Sequence, residues 1–365
     1  MKIAYFIDNL RGDGTQRVLT QLVRGLAERG HIQKVLCLND SYDETTVEEL
    51  RSVLVEVRIV GKKALFGGYG LISTTAWLKR EKFDALVTML FAADVIGRLL
   101  AKLAGVPRIV SSLRARNIHY SSLQRWLVRF TMNAADAVII NSPHSKDFAI
   151  YTEGAKPDRI FLIPNGVRVS QFTQPMNQEM VRNEFGLPRH GYLLGCVGRL
   201  TRQKGIDILL RALSKLNSRE FHLVILGTGR DQVQLQELAV RLGLESRVHF
   251  AGYRRDVPAL LGALDLYVHP ARFEGMPNAV LEAMAAACPI VATAVDGNRA
   301  LITDGIDGWL VPPENAEILA TVIEEVLSDR SEARRRGLMA QKRATLQFSV
   351  DAMTTAWEKV LLGQL

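Results

Sequence analysis

The stretch "LDLYVHPARFEGMPNAVLEAMAAACPIVATAV", Leu264 to Val295, reads as strand, turn, helix and strand. Two short apolar runs, "LDLYVHP" and "PIVATAV", bracket an alanine-rich segment of good helix formers. Pro277 suits the first helical turn, where a missing N–H costs nothing. Glu282 then falls about one and a half turns further on, at roughly 1.5 Å of rise per residue. A helix start presents unpaired N–H groups and the positive end of a dipole, a ready anion site. Two carboxylates, Glu274 and Glu282, beside such a site make sense together if the ligand carries both phosphates and hydroxyl groups.

The same alternation extends in both directions. "KIAYFID", "KVLCL", "DALVTM", "RIVSSL" and "DAVIINS" read as strands in the first half. "LLGCVGRL", "HLVILG", "RVHFAG" and "GWLVPP" join the two strands above in the second. "TQRVLTQLVRGLAERG" reads as a helix, with Val18, Leu22 and Leu26 at four-residue spacing and Gly30 as its stop. Strands alternating with helices imply parallel sheets covered by helices. At 365 residues the chain exceeds what one core usually covers. The expectation is an α/β protein of two Rossmann-like, doubly wound domains facing across a cleft, spanning 1–168 and 169–346. The join falls at the Pro164-Asn165-Gly166 turn signal, and ligands are expected in the cleft at strand carboxyl ends.

Hydrophobic content of 48% and charged content of 23% suit a soluble globular enzyme. The start "MKIAYFIDNL" meets Asp8 too early for a secretion signal, and "AMAAACPIVATAV" is too short to span a bilayer. Cys37, Cys196 and Cys288 lie far apart in apolar settings, which fits reduced thiols in a cytoplasm. The net charge of +8 sits wholly in residues 1–170, where 24 Lys and Arg face 16 Asp and Glu. Between 98 and 129 stand Arg98, Lys102, Arg108, Arg114, Arg116, Arg125 and Arg129, with no acid. Such a segment suits an anionic partner. Basic residues interleaved with aromatics, as single-strand binders use, are missing, so no nucleic acid is expected.

Two glycine-bearing turns follow strands. "NLRGDGTQRVL" carries Gly12 and Gly14, and "ILGTGRDQ" carries Gly227 and Gly229; neither completes a dinucleotide fingerprint. "CVGRLTRQKGIDILLRAL" is more specific. Arg199 follows a strand and Lys204 precedes a helix, a fork and an ammonium suited to a pyrophosphate.

"GDGTQRVL", "IPNGV", "GRLTRQKG" and "FEGMPNAVLEAMAAACPIVAT", in this order, together resemble a family 4 retaining glycosyltransferase of the GT-B fold. The resemblance covers nearly the whole chain, and the two glutamates separated by seven residues are its most specific part. It implies a nucleotide-sugar donor, usually a UDP- or GDP-sugar, with UDP favoured. Glu282 would hold the ribose diol and Glu274 the sugar hydroxyls. The backbone of Gly275, Met276, Pro277 and Asn278 would form the turn facing sugar and phosphates, with N–H groups from all but Pro277. Arg199 and Lys204 would stabilise the departing diphosphate, Tyr253 and Arg254 would lie beside the base, and Gly14 and Thr15 would approach the diphosphate. His119 resembles the histidine that relatives place near the donor sugar, and Arg114 is a further candidate for an anionic group. No Asp-x-Asp pair is found, so no metal is expected.

The resemblance further implies that the N-terminal domain binds the acceptor, a sugar or lipid-linked saccharide of lipopolysaccharide or exopolysaccharide synthesis. The terminal helix around Trp357, within 347–365, would pack back on that domain. Gln16 and Ala300 stand where relatives usually have Glu. "SSLQRWLVRFTMN" places Leu123, Trp126, Leu127 and Phe130 on one helical face, which is expected to turn toward the core. The basic segment alone would then attract an anionic membrane surface, giving a cytoplasmic protein peripheral on the inner face of the cell membrane. The alternatives are a nucleotide-sugar epimerase of similar fold, a dinucleotide oxidoreductase, and a non-catalytic binder of anionic partners.

Overall fold

The computed structural model describes all residues except Asp13, Lys62, Leu65, Phe66, 115–119, 173–175, 217–219 and Leu365. The chain divides into two compact units, one of residues 1–166 with 350–365 and one of residues 167–349.

The first unit is built on β1 (Lys2–Ile7), β2 (Ile32–Cys37), β3 (Glu56–Ile59), β4 (Ala85–Met89), β5 (Arg108–Leu113), β6 (Ala137–Ile140) and β7 (Ile160–Leu162). Its helices are α1 (Gly14–Glu28), α2 (Glu44–Arg51), α3 (Tyr69–Glu81), α4 (Phe91–Ala104) and α5 (Ser122–Met132). The seven strands are all parallel, in the order β3-β2-β1-β4-β5-β6-β7. The central strands are apolar on both faces because helices cover both faces. The edge strands "EVRI" and "IFL" are short and polar-flanked, and hydrophobic pattern alone does not disclose them.

The second unit contains α6 (Gln178–Phe185), β8 (Tyr192–Val197), α7 (Ile206–Leu213), β9 (Phe221–Leu226), α8 (Gln232–Arg241), β10 (Val248–Gly252) and α9 (Val257–Leu261). It continues through β11 (Leu266–His269), α10 (Asn278–Ala285), β12 (Ile290–Thr293), α11 (Asp296–Leu301), β13 (Trp309–Val311), α12 (Ala316–Ser328) and α13 (Arg330–Gln347). Six parallel strands run β10-β9-β8-β11-β12-β13. All six apolar runs noted in the second half are strands. The two-domain α/β fold expected from the alternation is therefore present.

The last helix, α14 (Val350–Leu362), belongs to the first unit. It lies on α1, and Trp357 is fully buried in the first unit's core. The approach is close because Gly25 has no side chain: a Cβ there would stand 2.4 Å from Thr354 Oγ1. Arg29 donates to Glu358 at 2.7 Å and to Asp351 at 2.6 Å, and His31 Nε2 lies 2.7 Å from Glu358.

The structure overturns one expectation about α5. Its buried side chains are Val128, Thr131 and Met132, while Leu123, Trp126 and Phe130 are more than half exposed. Only Leu127 of the named four packs on the core. Helical periodicity gives a face but not its direction, and α5 turns its larger aromatic face outward. The Trp126 and Phe130 rings stack at 5.3 Å. The basic segment is thinned as well. Arg98 is wholly buried, 3.3 Å from Asp94 and bonded to Ser111 Oγ at 2.7 Å. Arg116 lies outside the described residues.

Candidate functional site

In each sheet the strand order reverses once, between β1 and β4 in the first unit and between β8 and β11 in the second. Open α/β sheets bind ligands outside the carboxyl ends of strands at such a reversal.

In the second unit, β8 leads into Gly198 and Arg199, then a single 3-10 turn, Arg202–Lys204. β11 leads into the turn that carries Glu274. The two segments are stitched together: Arg272 N–H donates to Gln203 O at 2.8 Å, and Gln203 Nε2 donates to Phe273 O at 3.1 Å. Gly205 has φ +64°, and a Cβ there would stand 2.0 Å from Pro270 O, so only glycine fits. Arg272 completes the frame with bonds of 2.7 and 2.8 Å to the two oxygens of Asp207. This fork-to-fork pair fixes the base of the turn.

The frame brings Lys204 Nζ into a charge-assisted hydrogen bond with Glu274 Oε1, both side chains being largely buried. His269, at the end of β11, places Nε2 3.3 Å from the same oxygen. Tyr267, two residues earlier and on the same strand face, sets its hydroxyl 3.0 Å from His269 Nδ1. Burial works to raise the Glu274 carboxyl, but Lys204 and His269 outweigh it and hold it at about 2. Burial also pushes His269 below its usual value, against the pull of Glu274. Nε2 thus stands close to the Glu274 carboxylate without a hydrogen-bond partner among the described residues, while Nδ1 meets the Tyr267 hydroxyl. Glu282 and Glu274 both act electrostatically on the buried Tyr267 hydroxyl, which titrates well above the usual phenol range through burial first. The two glutamates therefore face one neighbourhood.

Pro277 is the N-cap residue, one position before the first helical turn, and α10 starts at Asn278. Met276 and Pro277 are buried, Gly275, Asn278 and Glu282 half-buried. Gly297, at the start of α11, packs on the turn and donates its N–H to Glu274 O at 3.2 Å. Arg199 is exposed next to this cluster in sequence. Ala300 is half-buried on α11.

The structure changes the footing of two residues. Lys204 is not a free cation, since it is already paired with Glu274. Arg254 forms ion pairs with Glu184 and with Asp256, its Nε 2.8 Å from Asp256 Oδ1. Tyr253 beside it is 60% exposed. His269 is the residue that sequence reasoning missed. Its signal was present in "LYVHP", where a strand period of two puts Tyr267 and His269 on one face.

In the first unit, Gly14 and Thr15 are the first two residues of α1. Gln16 is buried and donates to Asn9 O at 3.0 Å and Asn9 Oδ1 at 2.8 Å. Asp8, at the end of β1, accepts from Ala93 N–H at 2.6 Å and Ala92 N–H at 3.1 Å, so it caps α4 across the strand reversal. Burial raises its carboxyl to about 6 despite those bonds. His119 lies outside the described residues. The three cysteines are buried and unbridged.

Two doubly wound units, the second with paired carboxylates and cations at its strand reversal, define a GT-B architecture. The fold matches over 100% of both chains, with a TM-score of 0.87 and 24% identity, that of an Anabaena protein, HepE, solved in complex with UDP. Residues 12–171 match the family model described as Glycosyltransferase Family 4, and residues 191–329 match Glycosyl transferases group 1. An Escherichia coli UDP-Gal:alpha-D-GlcNAc-diphosphoundecaprenol alpha-1,3-galactosyltransferase is 28% identical over 71% of this chain and 70% of its own. A lipopolysaccharide core biosynthesis glycosyltransferase, LpsE, of Rhizobium meliloti is 31% identical over 50% of this chain and 53% of its own. The chain belongs to the family 4 glycosyltransferases and is a nucleotide-sugar-dependent glycosyltransferase.

Proposed function

We propose that the chain is a retaining hexosyltransferase that moves a sugar from a UDP-sugar to a sugar or lipid-linked saccharide acceptor in lipopolysaccharide or exopolysaccharide synthesis. The observation that carries this reading is the Lys204–Glu274–His269 cluster at the β8/β11 reversal, with Glu282 on the helix that follows. Glu274 would accept bonds from the donor's sugar hydroxyls, and Glu282 would take the ribose diol. Lys204, with Arg199, would then face the diphosphate and stabilise the charge that develops as it leaves. Charge neutralisation by these two cations is what makes a metal unnecessary in this reading. Tyr253 fits a role against the base through its exposed ring. Arg254 would support that segment through Glu184 and Asp256 rather than reach the base.

In the transfer, the bond from the anomeric carbon to the acceptor oxygen forms on the face from which the phosphate oxygen departs. The bond from that carbon to the phosphate oxygen breaks with both electrons, and the phosphate oxygen takes the acceptor's proton. No protein base is required. Residues 1–168, with 347–365, would take the acceptor, and 169–346 the donor.

The membrane component of the reading now rests on α5 rather than on charge alone. Leu123, Trp126 and Phe130 are exposed beside Arg125 and Arg129, and the packed neighbour α4 exposes Leu99, Lys102 and Leu103. An apolar face flanked by basic residues suits the interface of an anionic bilayer. No described helix is long and apolar enough to cross a membrane. The reading places the protein on the cytoplasmic leaflet.

The test is a thermal-shift panel of UDP, GDP, ADP, NAD and UDP-sugars on wild type and Glu282→Ala. UDP should raise the melting temperature and the variant should lose most of that rise, because a ligand at about 100 times its dissociation constant adds about 2.7 kcal/mol. A shift with NAD alone, or with no nucleotide, would defeat the proposal.

A further inference from the structure

Arg114 stands at the carboxyl end of β5 in the first unit, and none of the donor chemistry above uses it. Its Nε donates to Ser112 Oγ at 2.8 Å and its Nη1 to Asn165 Oδ1 at 2.7 Å. The guanidinium lies over the Trp357 ring at 5.4 Å. The side chain as a whole is only partly covered, yet Nη2 is shut off from solvent and has no hydrogen-bond partner among the described residues. No described carboxylate forms an ion pair with it. Arg98, the first residue of the same basic segment, shows the contrast: it is wholly buried and stands 3.3 Å from Asp94. A cationic nitrogen shielded from water without a partner is costly, and an anion that reaches it relieves that cost.

A second unsatisfied atom lies at the neighbouring strand end. Asn141, directly after β6, is 2% exposed. Its Nδ2 donates to Arg114 O at 3.3 Å, and its Oδ1 has no hydrogen-bond partner among the described residues. One orphaned donor and one orphaned acceptor at adjacent strand ends suit an anionic group that sits beside a hydroxyl.

We propose that Arg114 and Asn141 form a subsite for a phosphate group carried by the acceptor, with Arg114 Nη2 donating to the phosphate and Asn141 Oδ1 accepting from an adjacent hydroxyl. The proposal rests on the reading of the first unit as the acceptor's. Ser112, Asn165 and the Trp357 ring hold the guanidinium plane in place, so the third nitrogen is aimed before the ligand arrives. Burial also lowers the guanidinium to about 9, which is the cost of holding that charge unpaired and is relieved by an anion.

The phosphate could sit on a soluble sugar or on a lipid-linked saccharide, and two probes separate these. Wild-type protein is first saturated with UDP, so that the donor's diphosphate site is filled. A sugar 1-phosphate and a short-chain alkyl diphosphate glycoside are then titrated by thermal shift, with the uncharged alkyl glycoside as control. Either phosphate probe should raise the melting temperature further, and the uncharged control should not. Binding by the sugar 1-phosphate assigns a soluble acceptor, and binding by the alkyl diphosphate alone assigns a lipid-linked one. Arg114→Met should weaken the phosphate probe by about tenfold or more while the UDP shift persists. Arg114→Lys keeps the charge, serves if the Met variant does not fold, and should also weaken the probe because the fork is lost. The proposal fails if no phosphate probe binds UDP-saturated wild type, or if probe affinity is unchanged in both variants. Loss of the UDP shift itself in wild type would count against the donor reading instead.

Discussion

At the scale of single residues, the second unit is organised by one buried ion pair. Removing one partner of a buried pair leaves an uncompensated charge, which typically costs about 3–5 kcal/mol. Glu274→Gln should therefore lower both activity and urea stability, while Lys204→Met with Glu274→Gln should recover part of the stability and none of the activity; urea melts and initial rates on each variant decide this. His269, His222 and His249 are all held below their usual value, burial being the largest cause in each. A depressed native value means that the unfolded state binds protons first as pH falls. Stability should thus be complete above pH 6.5 and decline below it, and His269→Gln should shrink that decline in melting temperature measured from pH 7.5 to 5. Glu274 adds a second loss, between the unfolded value of 4.5 and its native value of about 2. The sequence disclosed the kinds of residue here but not their pairing. Lys204 and Glu274 were each read as facing a ligand, and nothing in their spacing of 70 positions says that they face each other. Gln16 teaches the same lesson: its amide donates to both oxygens of Asn9, which a glutamate in that place could not do.

At the scale of elements, direction was the part that sequence withheld. Periodicity made α5 amphipathic, but both an inward and an outward apolar face satisfy a period of 3.6. The choice was made by Val128, Thr131 and Met132, which fill the space against the sheet and leave Trp126 and Phe130 outside. Replacing both rings, Trp126→Ser with Phe130→Ser, should change stability by only about 0.5 kcal/mol each, as exposed sites do. The same variant should lose binding to phosphatidylglycerol vesicles in a flotation assay at high salt, whereas the folded wild type keeps it. Retained binding in the double variant would remove α5 from any membrane contact. For α14 the expectation is opposite. Trp357→Ala opens a cavity in a packed core and should cost about 3–5 kcal/mol, read as a lower urea midpoint.

At the scale of the molecule, fold class was legible because parallel strands covered on both faces are written as short apolar runs, and every central strand is such a run. The edge strands β3 and β7 were not, since an edge needs few apolar residues and carries weak pattern. The reversal points of both sheets were also out of reach, because strand order is a matter of which helix crosses over which strand rather than of local composition. Finally, the first unit is not contiguous in the chain: its last helix, with Trp357 and the partners of Arg29, arrives only after all of the second unit. A ribosome therefore releases the amino-terminal half with a vacant slot along α1, and that half waits, incompletely sealed, until α14 has been made. The intervening unit has no such delay. Pulse-labelled amide exchange on nascent chains should find β8 and β9 protected before β1 and α1, which makes the arrival of α14 the step that closes the first unit.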